Sequence, residues 1–561
     1  MRTPLAVRMR RLLSTPVRWE ANRQVRHWRR DVRDARRIQE TLLARILAQA
    51  AGTAFGRDAG LDGARTVDDL RACLPIAGYE RAAPYIERVA HGEVEALFPA
   101  GTRVHMFAMT SGTTGRAKYI PVTDTVLADY RAGWHIWGAQ ALDDHLDAFG
   151  AKILQISGRV DEEVMPCGLP AGAISGLAAR SQRRLIQRLY VSPPACAYAG
   201  DTASKYYLVC RLGLQCNRVM PLTANPSTLL GLARTLDRRK ENLLRDLSDG
   251  TLADDVQIAG EPRCCIERHL RACPDRARRF DRLVEETGRL YPRDVWEVPL
   301  IGTWKGGTLS LYLRDMPRYW GEAPTRDIGL IASEGRFSIP VETDGSAGIL
   351  ETTGTFYEFV PEAEIQDAHP TALLAHEVEP GERYFLVVTT VSGLFRYDMG
   401  DLVQVTGRVG EAPVIEFLNK GEHVANLTGE KITEYQVIAA VNQAVAERSL
   451  SLTGYCLCPT WDEVPYYSLL VETDDVPPET APDVAAAVDS ALARRNMEYE
   501  AKRDSGRLRP VRVKTLCPGT WEAYDREMIA RRNGRVEQYK HKFLETEVDF
   551  EQRFEILAEY A

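Results

Sequence analysis

The sequence predicts an α/β protein. A large N-terminal domain of sheets covered by helices, with a β-barrel-like part, precedes a small α+β C-terminal domain. Three observations carry this. Between residues 150 and 300, apolar segments of helical period alternate with short apolar runs of strand length, the pattern of helices packed on a sheet. Residues 349–408 are strand-rich. Near Phe417-Leu418-Asn419-Lys420-Gly421-Glu422 the apolar pattern breaks into polar and glycine residues, and a shorter α+β pattern resumes near Ile432. The expected boundaries are therefore 1–417 for the large domain, with a basic arm at 1–37, then a hinge at 418–431 and a small domain at 432–561.

Bulk properties narrow the function classes. A chain of 561 residues exceeds a single core. Its 45% hydrophobic and 27% charged content is that of an ordinary soluble globular protein. A net charge of −7 gives no case for nucleic-acid binding. The eleven cysteines are scattered, and neither Cys264-Cys265 nor Cys456-Leu457-Cys458 has zinc-site spacing. No apolar run reaches the ~18 residues of a membrane span, and no apolar stretch of signal-peptide type follows the N-terminal arginines. The expectation is a cytoplasmic protein with reduced thiols and no transmembrane segment.

Taken in order, the arm from Arg2 to Arg37 reads as a solvated helix face, with weak contact to an acidic surface as the alternative. Ile38–Ala51 has helical spacing, and Asp68–Cys73 reads as a short helix. Asp124 is placed to cap a helix running through Trp134 and Trp137. A strand at Ala151–Ile156 is followed by helices at Arg180–Tyr190, Thr202–Leu214 and Thr228–Leu247, and by strands at Trp296–Ile301 and Leu309–Leu313. Strands are expected at Phe356–Val360 and Tyr384–Thr390. In the last domain, helices are expected at 432–445, 482–499 and from Trp521 to Asn533 with Gly534 as C-cap, and strands at Tyr455–Pro459, Tyr467–Val471 and Val511–Leu516.

The organising motif is Thr110-Ser111-Gly112-Thr113-Thr114-Gly115-Arg116-Ala117-Lys118, a loop between two expected strands. Glycines let backbone amides turn toward one point, and such a nest binds anions. The hydroxyls add donors and Lys118 adds a mobile charge, so the loop reads as a phosphate loop for a nucleotide. It is not a Walker A loop, because the lysine does not directly follow the second glycine and no Ser/Thr follows it. The alternative is a polar surface turn. Ala332-Ser333-Glu334-Gly335 closes a strand with a polar turn; Glu334 can hold a divalent metal bound to phosphates, and Ser333 can donate to a phosphate oxygen. In Gly393-Leu394-Phe395-Arg396-Tyr397-Asp398-Met399-Gly400-Asp401, the last aspartate follows a glycine turn. It suits either two ribose hydroxyls or simple turn closure.

Together these segments resemble the Gretchen Hagen family of acyl acid amido synthetases, the auxin-responsive branch of the adenylate-forming superfamily. The resemblance runs from about Ile38 to Lys540. Thr110–Lys118 is similar to the superfamily's phosphate loop. Ala332-Ser333-Glu334-Gly335 is similar to the second motif, although plant members usually carry two serines there. Gly393–Tyr397 with Gly400-Asp401 is similar to the third. Gly429-Glu430-Lys431 resembles the aspartate-lysine motif at the start of a mobile C-terminal domain, with Glu430 in the aspartate's place, and Gln538-Tyr539-Lys540 matches the end motif.

The resemblance implies ATP and Mg²⁺. Thr110, Ser111, Gly112, Thr113, Thr114, Gly115 and Lys118 would hold the phosphates, with Ser333 beside them. Glu334 would hold Mg²⁺, Asp401 the ribose, and Lys431 and Lys540 would act catalytically from the mobile domain. Arg396 is left open between a catalytic part and an ion-pair partner. The implied reaction joins a carboxylic acid to an amine or amino acid through an acyl adenylate. No side-chain nucleophile is required, in keeping with the lack of a Ser-His or Cys-His constellation. Two alternatives stand: an acyl-CoA synthetase sharing the first step, and a non-catalytic scaffold using the basic arm. The acyl pocket is expected near Gly302-Thr303-Trp304.

Overall fold

A computed structural model describes residues 19–561 except 21, 112–116, 181–183, 307–309, 366, 368, 421–423, 426, 429, 431, 505–507 and 532–538. The chain divides into two compact units. The first comprises Met1–Met399 with Val403–Phe417; the second comprises Gly400–Leu402 with Leu418–Ala561.

In the first unit, the strands Val104–Ser111 and Ala117–Thr123 pair antiparallel, with Thr110 opposite Lys118 and Ser111 opposite Ala117. Pro170–Gly172 adds to the other edge of Val104–Ser111 in parallel. The strand-rich region forms a seven-stranded sheet. Its order is Ser338–Ile339, Gly348–Leu350, Ala412–Lys420, Tyr397–Val409, Arg383–Thr390, Thr355–Pro361 and Leu373–Leu374. One core joins this sheet to the helix Ala35–Ala51 through Leu42, Leu43, Ile46, Leu47, Phe356 and Val388. That helix forms because its apolar residues recur every three to four positions. A separate core fills the helical region of 150–320, around Tyr207, Leu229, Leu232, Leu243, Trp296 and Trp320.

The second unit carries a four-stranded sheet, ordered Tyr455–Thr460, Tyr466–Glu472, Arg512–Leu516 and Ala558–Tyr560. The helices Glu434–Ala446 and Ala481–Ala493 pack on each other. All eleven cysteines are free thiols.

Several elements differ from the sequence reading. Thr123, not Asp124, caps the Asp124–Asp144 helix, its side chain accepting from the Val126 amide. Asp124 instead meets His105, at 2.6 Å. The single helix expected at 228–247 breaks at Arg239 into Pro226–Arg238 and Lys240–Asp249. Both halves pack on Thr202–Gly213, but the first also meets Ser310–Trp320 and the second Pro274–Thr287. The strand expected at Leu309–Leu313 is the start of a helix, Ser310–Trp320. Tyr312, Met316 and Trp320 recur every four residues and face the helical core, so the longer period prevails over the local alternation. The expected strand at Trp296–Ile301 shrinks to Ile301–Gly302. The expected helix at Arg180–Tyr190 is present as Ile174–Arg180 and Arg184–Gln187, and the one at 482–499 divides into Ala481–Ala493 and Met497–Asp504. The last long helix is Thr520–Arg531; Gly534, its expected cap, lies outside the described residues.

Candidate active site

The hairpin of Val104–Ser111 and Ala117–Thr123 carries the expected phosphate loop between its strands. Thr110 and Ser111 end the first strand, and Lys118 is the second residue of the next. Gly112, Thr113, Thr114 and Gly115 lie outside the described residues.

Two tyrosines flank Lys118. Its Nζ stands 5.8 Å from the centre of the Tyr79 ring and 5.9 Å from that of Tyr397, and 3.5 Å from the Tyr397 hydroxyl. An ammonium over an aromatic face is attracted by the ring quadrupole. Tyr79 is held by the strand that bears Lys118: its hydroxyl donates to the Tyr119 carbonyl at 2.9 Å and accepts from the Tyr119 amide at 3.0 Å. Burial raises the Tyr79 hydroxyl above its ordinary value, the nearby Glu334 carboxylate adding to the rise. Tyr79 therefore neighbours both Lys118 and Glu334. No sequence pattern marks it.

Ser333 and Glu334 form the two-residue turn of a short hairpin, Ile331–Ala332 with Gly335–Arg336. The hairpin is stitched at its base. Tyr130 donates to the Ala332 carbonyl at 2.7 Å and Arg336 to the Ile328 carbonyl at 2.6 Å. The Trp304 indole donates to the Gly329 carbonyl at 2.7 Å and the Trp137 indole to the Asp327 carbonyl at 2.8 Å. Asp327 accepts from the Gly329 and Lys305 amides, both at 2.6 Å. Burial lifts its carboxyl to about 6. The segment 302–304, expected beside the acyl pocket, thus borders the Glu334 hairpin. Arg336 is fully buried beneath the Trp134 ring, 4.8 Å from its centre, and burial brings its guanidinium down to about 10.

A metal-binding test follows from the donor set. Among the described residues, no three His, Cys, Asp or Glu side chains converge. Glu334 is a single carboxylate on a hairpin tip. This fits Mg²⁺ held mainly by phosphate oxygens and water, and not a cage made of protein alone.

Arg396 has a left-handed backbone, with φ 43°, between Gly393 at 90° and Gly400 at 67°. A non-glycine residue there stores strain. Its guanidinium is buried in a two-pronged ion pair with Glu358, at 2.8 and 3.0 Å, and donates to the Leu74 carbonyl at 2.7 Å. Arg71 shares the same carboxylate at 2.9 Å. Of the two roles left open by the sequence, this geometry is that of the ion-pair partner. Next to it, Tyr397 bridges to Ala77. Asp401 is buried within the strand Tyr397–Val409 instead of preceding it.

In the second unit, Lys431 lies outside the described residues and Glu430, its predecessor, within them. Glu430 accepts from the Leu427 and Thr428 amides, both at 2.7 Å, from the Thr428 hydroxyl at 2.9 Å, and from the Tyr467 hydroxyl. Burial alone would raise its carboxyl; the four donors outweigh burial and hold it below the ordinary value. Lys540 is exposed, with Tyr539 half-buried and His541 buried on either side.

A cavity of about 990 Å³ contains none of these residues. It lies in the helical region, lined by Lys152, Arg188, Tyr190, Arg218 and Arg271 among others. The grouped side chains around Lys118 and Glu334, not cavity size, mark the candidate site.

The GH3 family N-terminal domain matches residues 24–325, its central domain 348–420 and its C-terminal domain 435–548. The chain belongs to the GH3 family. Among GH3 relatives, an indole-3-acetic acid-amido synthetase of Oryza sativa subsp. indica is 27% identical, covering 90% of this chain and 87% of the relative. A jasmonoyl–L-amino acid synthetase of Nicotiana attenuata is 24% identical over 73% of this chain and 74% of the relative. Among solved structures, the GH3.15 acyl acid amido synthetase in complex with 2,4-DB superposes with a TM-score of 0.83 at 20% identity, covering 97% of each chain. The fold is thus the mixed α/β GH3 fold, with a large N-terminal part and a smaller C-terminal one. No helix among the described residues is long and apolar enough to cross a membrane.

Proposed function

We propose that this GH3 protein is an ATP-dependent ligase that adenylates a carboxylic acid and passes the acyl group to an amine, here an amino acid, releasing AMP and pyrophosphate. The observation that carries the reading is the meeting of Lys118, Tyr79 and Tyr397 beside the Glu334 hairpin, in a chain matched by the family from residue 24 to residue 548.

In the first step a carboxylate oxygen bonds to the α-phosphorus of ATP and the bond to the bridging oxygen breaks, giving acyl adenylate and pyrophosphate. Two anions must meet, so catalysis is chiefly positioning and charge neutralisation. Thr110 to Gly115 present hydroxyls and amides to the phosphates. Lys118, aimed by its two tyrosines, supplies a fixed positive charge. Ser333 donates to a phosphate oxygen, and Asp401 accepts from the ribose. Glu334 is the residue that would hold Mg²⁺; when bound, the ion neutralises phosphate charge. Arg396 is a positioning residue that holds the backbone of Tyr397. Lys431 and Lys540 supply the remaining charge from the second unit. In the second step the amine nitrogen bonds to the acyl carbon, the acyl–phosphate bond breaks, and AMP leaves with the electron pair. The domain limits 1–417, 418–431 and 432–561 are proposed as the working division, with 418–431 as hinge.

The acyl group is placed against Trp134, Trp304 and Ile331, partly buried apolar neighbours of the hairpin. The test is pyrophosphate exchange across a panel of carboxylic acids, followed by product analysis with amino acids and with coenzyme A. Exchange with amide formation is expected. A thioester alone would make this an acyl-CoA synthetase, and no exchange with any acid would return the scaffold reading.

A further inference from the structure

The end motif is built around an unusual buried imidazole. His541 is 5% exposed. Its Nδ1 lies 2.7 Å from Asp525 Oδ1 and its Nε2 lies 2.9 Å from the Tyr455 carbonyl oxygen. Neither partner can donate. Both ring nitrogens can be satisfied only if both carry protons, so this geometry is that of an imidazolium. The ring is also walled by aromatics, Trp521 at 5.1 Å and Phe543 at 4.9 Å between centroids.

The same carboxylate oxygen receives the Tyr539 hydroxyl at 2.6 Å. Asp525, on the helix Thr520–Arg531, therefore grips the residue before Lys540 and the residue after it. Two positions further on, the Phe543 amide donates to Glu434 at 2.7 Å, on the helix Glu434–Ala446. The Leu457 amide then donates to the Phe543 carbonyl at 2.9 Å. Lys540 itself is exposed. The chain is held on both sides of this one exposed lysine.

We propose that the charged His541 is a positioning residue for Lys540, so that the adenylation step depends on one buried proton in the C-terminal unit. This rests on the reading that Lys540 serves adenylation. The groups facing His541 are Asp525 and Trp521 from one helix, Glu434 from another, the Tyr455 carbonyl from the sheet, and Phe543 from its own segment. The two carboxylates favour the cation. Lys542, the nearest other cation in sequence, is paired with Glu545 at 2.9 Å. Burial alone would lower the imidazole; the Asp525 hydrogen bond and charge, the Tyr455 carbonyl and Glu434 outweigh it and raise it above its ordinary value. The sign follows from a raised base. The clamp is fully present below the ordinary imidazole range and is lost as pH climbs through the raised value. On proton loss, Nδ1–H can keep Asp525, but the Nε2 lone pair then faces the Tyr455 oxygen, and the segment loosens on the side of Lys540.

The test separates the two half-reactions. Pyrophosphate exchange reads adenylation alone; amide release from a supplied acyl adenylate reads the second step. Exchange by the unaltered protein should fall at alkaline pH. Asp525→Asn should move that fall to lower pH, because the charge that favours the cation is gone. His541→Gln should lower exchange at neutral pH on the order of tenfold to a hundredfold, the cost of a misplaced group, and should erase the alkaline fall. Release from the supplied adenylate should change less than about twofold, because an interaction made only in the first transition state is the one removed. An unmoved alkaline fall in Asp525→Asn, or equal losses in both half-reactions, would overturn the proposal. Lys540→Ala, run beside them, isolates the underlying reading: if that variant keeps full exchange, Lys540 has no such role, whatever His541 does.

Discussion

Replacing Glu358 with Gln is expected to injure both the fold and the first half-reaction, although the residue touches no substrate. Glu358 is 1% exposed and holds two guanidiniums, Arg396 through both oxygens and Arg71 through one. Breaking a buried pair by removing one partner costs about 3–5 kcal/mol, since a charge is left buried without compensation. Arg71 is one-third exposed and can turn to solvent; Arg396, 8% exposed at its side chain, has no such exit. The main cost therefore falls on Arg396, whose left-handed backbone places Tyr397 beside Lys118. At about 2 °C per kcal/mol for a unit of this size, the melting temperature should drop by roughly 6–10 °C. Pyrophosphate exchange should fall by about ten to a hundredfold through displacement of Tyr397 and Lys118. Arg396→Gln should do comparable damage, and the double variant should be better than the sum of the singles by about 1–3 kcal/mol, as expected for residues in contact. If Glu358→Gln keeps wild-type exchange while Arg396→Gln abolishes it, Arg396 acts on the substrate directly and the ion-pair reasoning is wrong.

Other outcomes follow from the same geometry. Lys118→Ala should lower exchange by about 10²–10³, the loss on removing one transition-state donor; a rate within threefold of wild type at saturating ATP would deny Lys118 that role. Asp401→Asn should weaken ATP by about 1.5–3 kcal/mol, the worth of hydrogen bonds to a charged group, read by calorimetric titration, with unchanged affinity as the contrary result. Glu430 is held below its ordinary value by hydrogen bonds that outweigh burial. Its stabilisation is fully present above the unfolded carboxyl value and is lost as pH falls through the lowered one. Glu430→Gln should therefore flatten part of the acid unfolding curve of the second unit, and an identical acid midpoint would count against it.

Much of the fold was legible because period and length speak together. The helix at Ala35–Ala51 and the strands Thr355–Pro361 and Arg383–Thr390 each carry a single unmixed pattern. Reading failed where tertiary partners decide. Leu309–Leu313 alternates locally, yet belongs to a helix whose face is set by Met316 and Trp320, beyond the window. Arg239 breaks a continuous leucine stripe whose halves share the helix Thr202–Gly213 but differ in their second neighbour, Ser310–Trp320 for one and Pro274–Thr287 for the other. In the candidate site, Lys118 and Glu334 lie in short motifs that the sequence displays; a residue without such a motif could not be read. Tyr79 is such a residue. It lies 39 residues before Lys118 and meets it through its ring face and through the Tyr119 backbone, a relation that no local pattern encodes.

A common device recurs at the functional positions. Arg396 immediately precedes Tyr397, Glu430 precedes Lys431, and His541 follows Lys540. Each anchor is buried and ionisable, and each has at least one partner distant in sequence: Glu358 and Leu74 for Arg396, Tyr467 for Glu430, and Asp525 with Tyr455 for His541. The physical reason is directional. On the proposed mechanism, a side chain that serves the phosphates or the cation beside them is not free to hold its own backbone. The adjacent side chain can point the opposite way and be locked. Burying an ionised anchor is costly unless it is fully paired, and here each is. This arrangement puts the cost of preorganisation in residues that never meet the substrate. Substitutions at the anchors should then lower the rate of adenylation with little change in ATP affinity, whereas substitutions at Asp401 should do the reverse. Single-turnover adenylation measured alongside ATP titration distinguishes the two patterns. Anchors whose loss weakens ATP binding in proportion to rate would show that they shape the ground state, and preorganisation would not be their role.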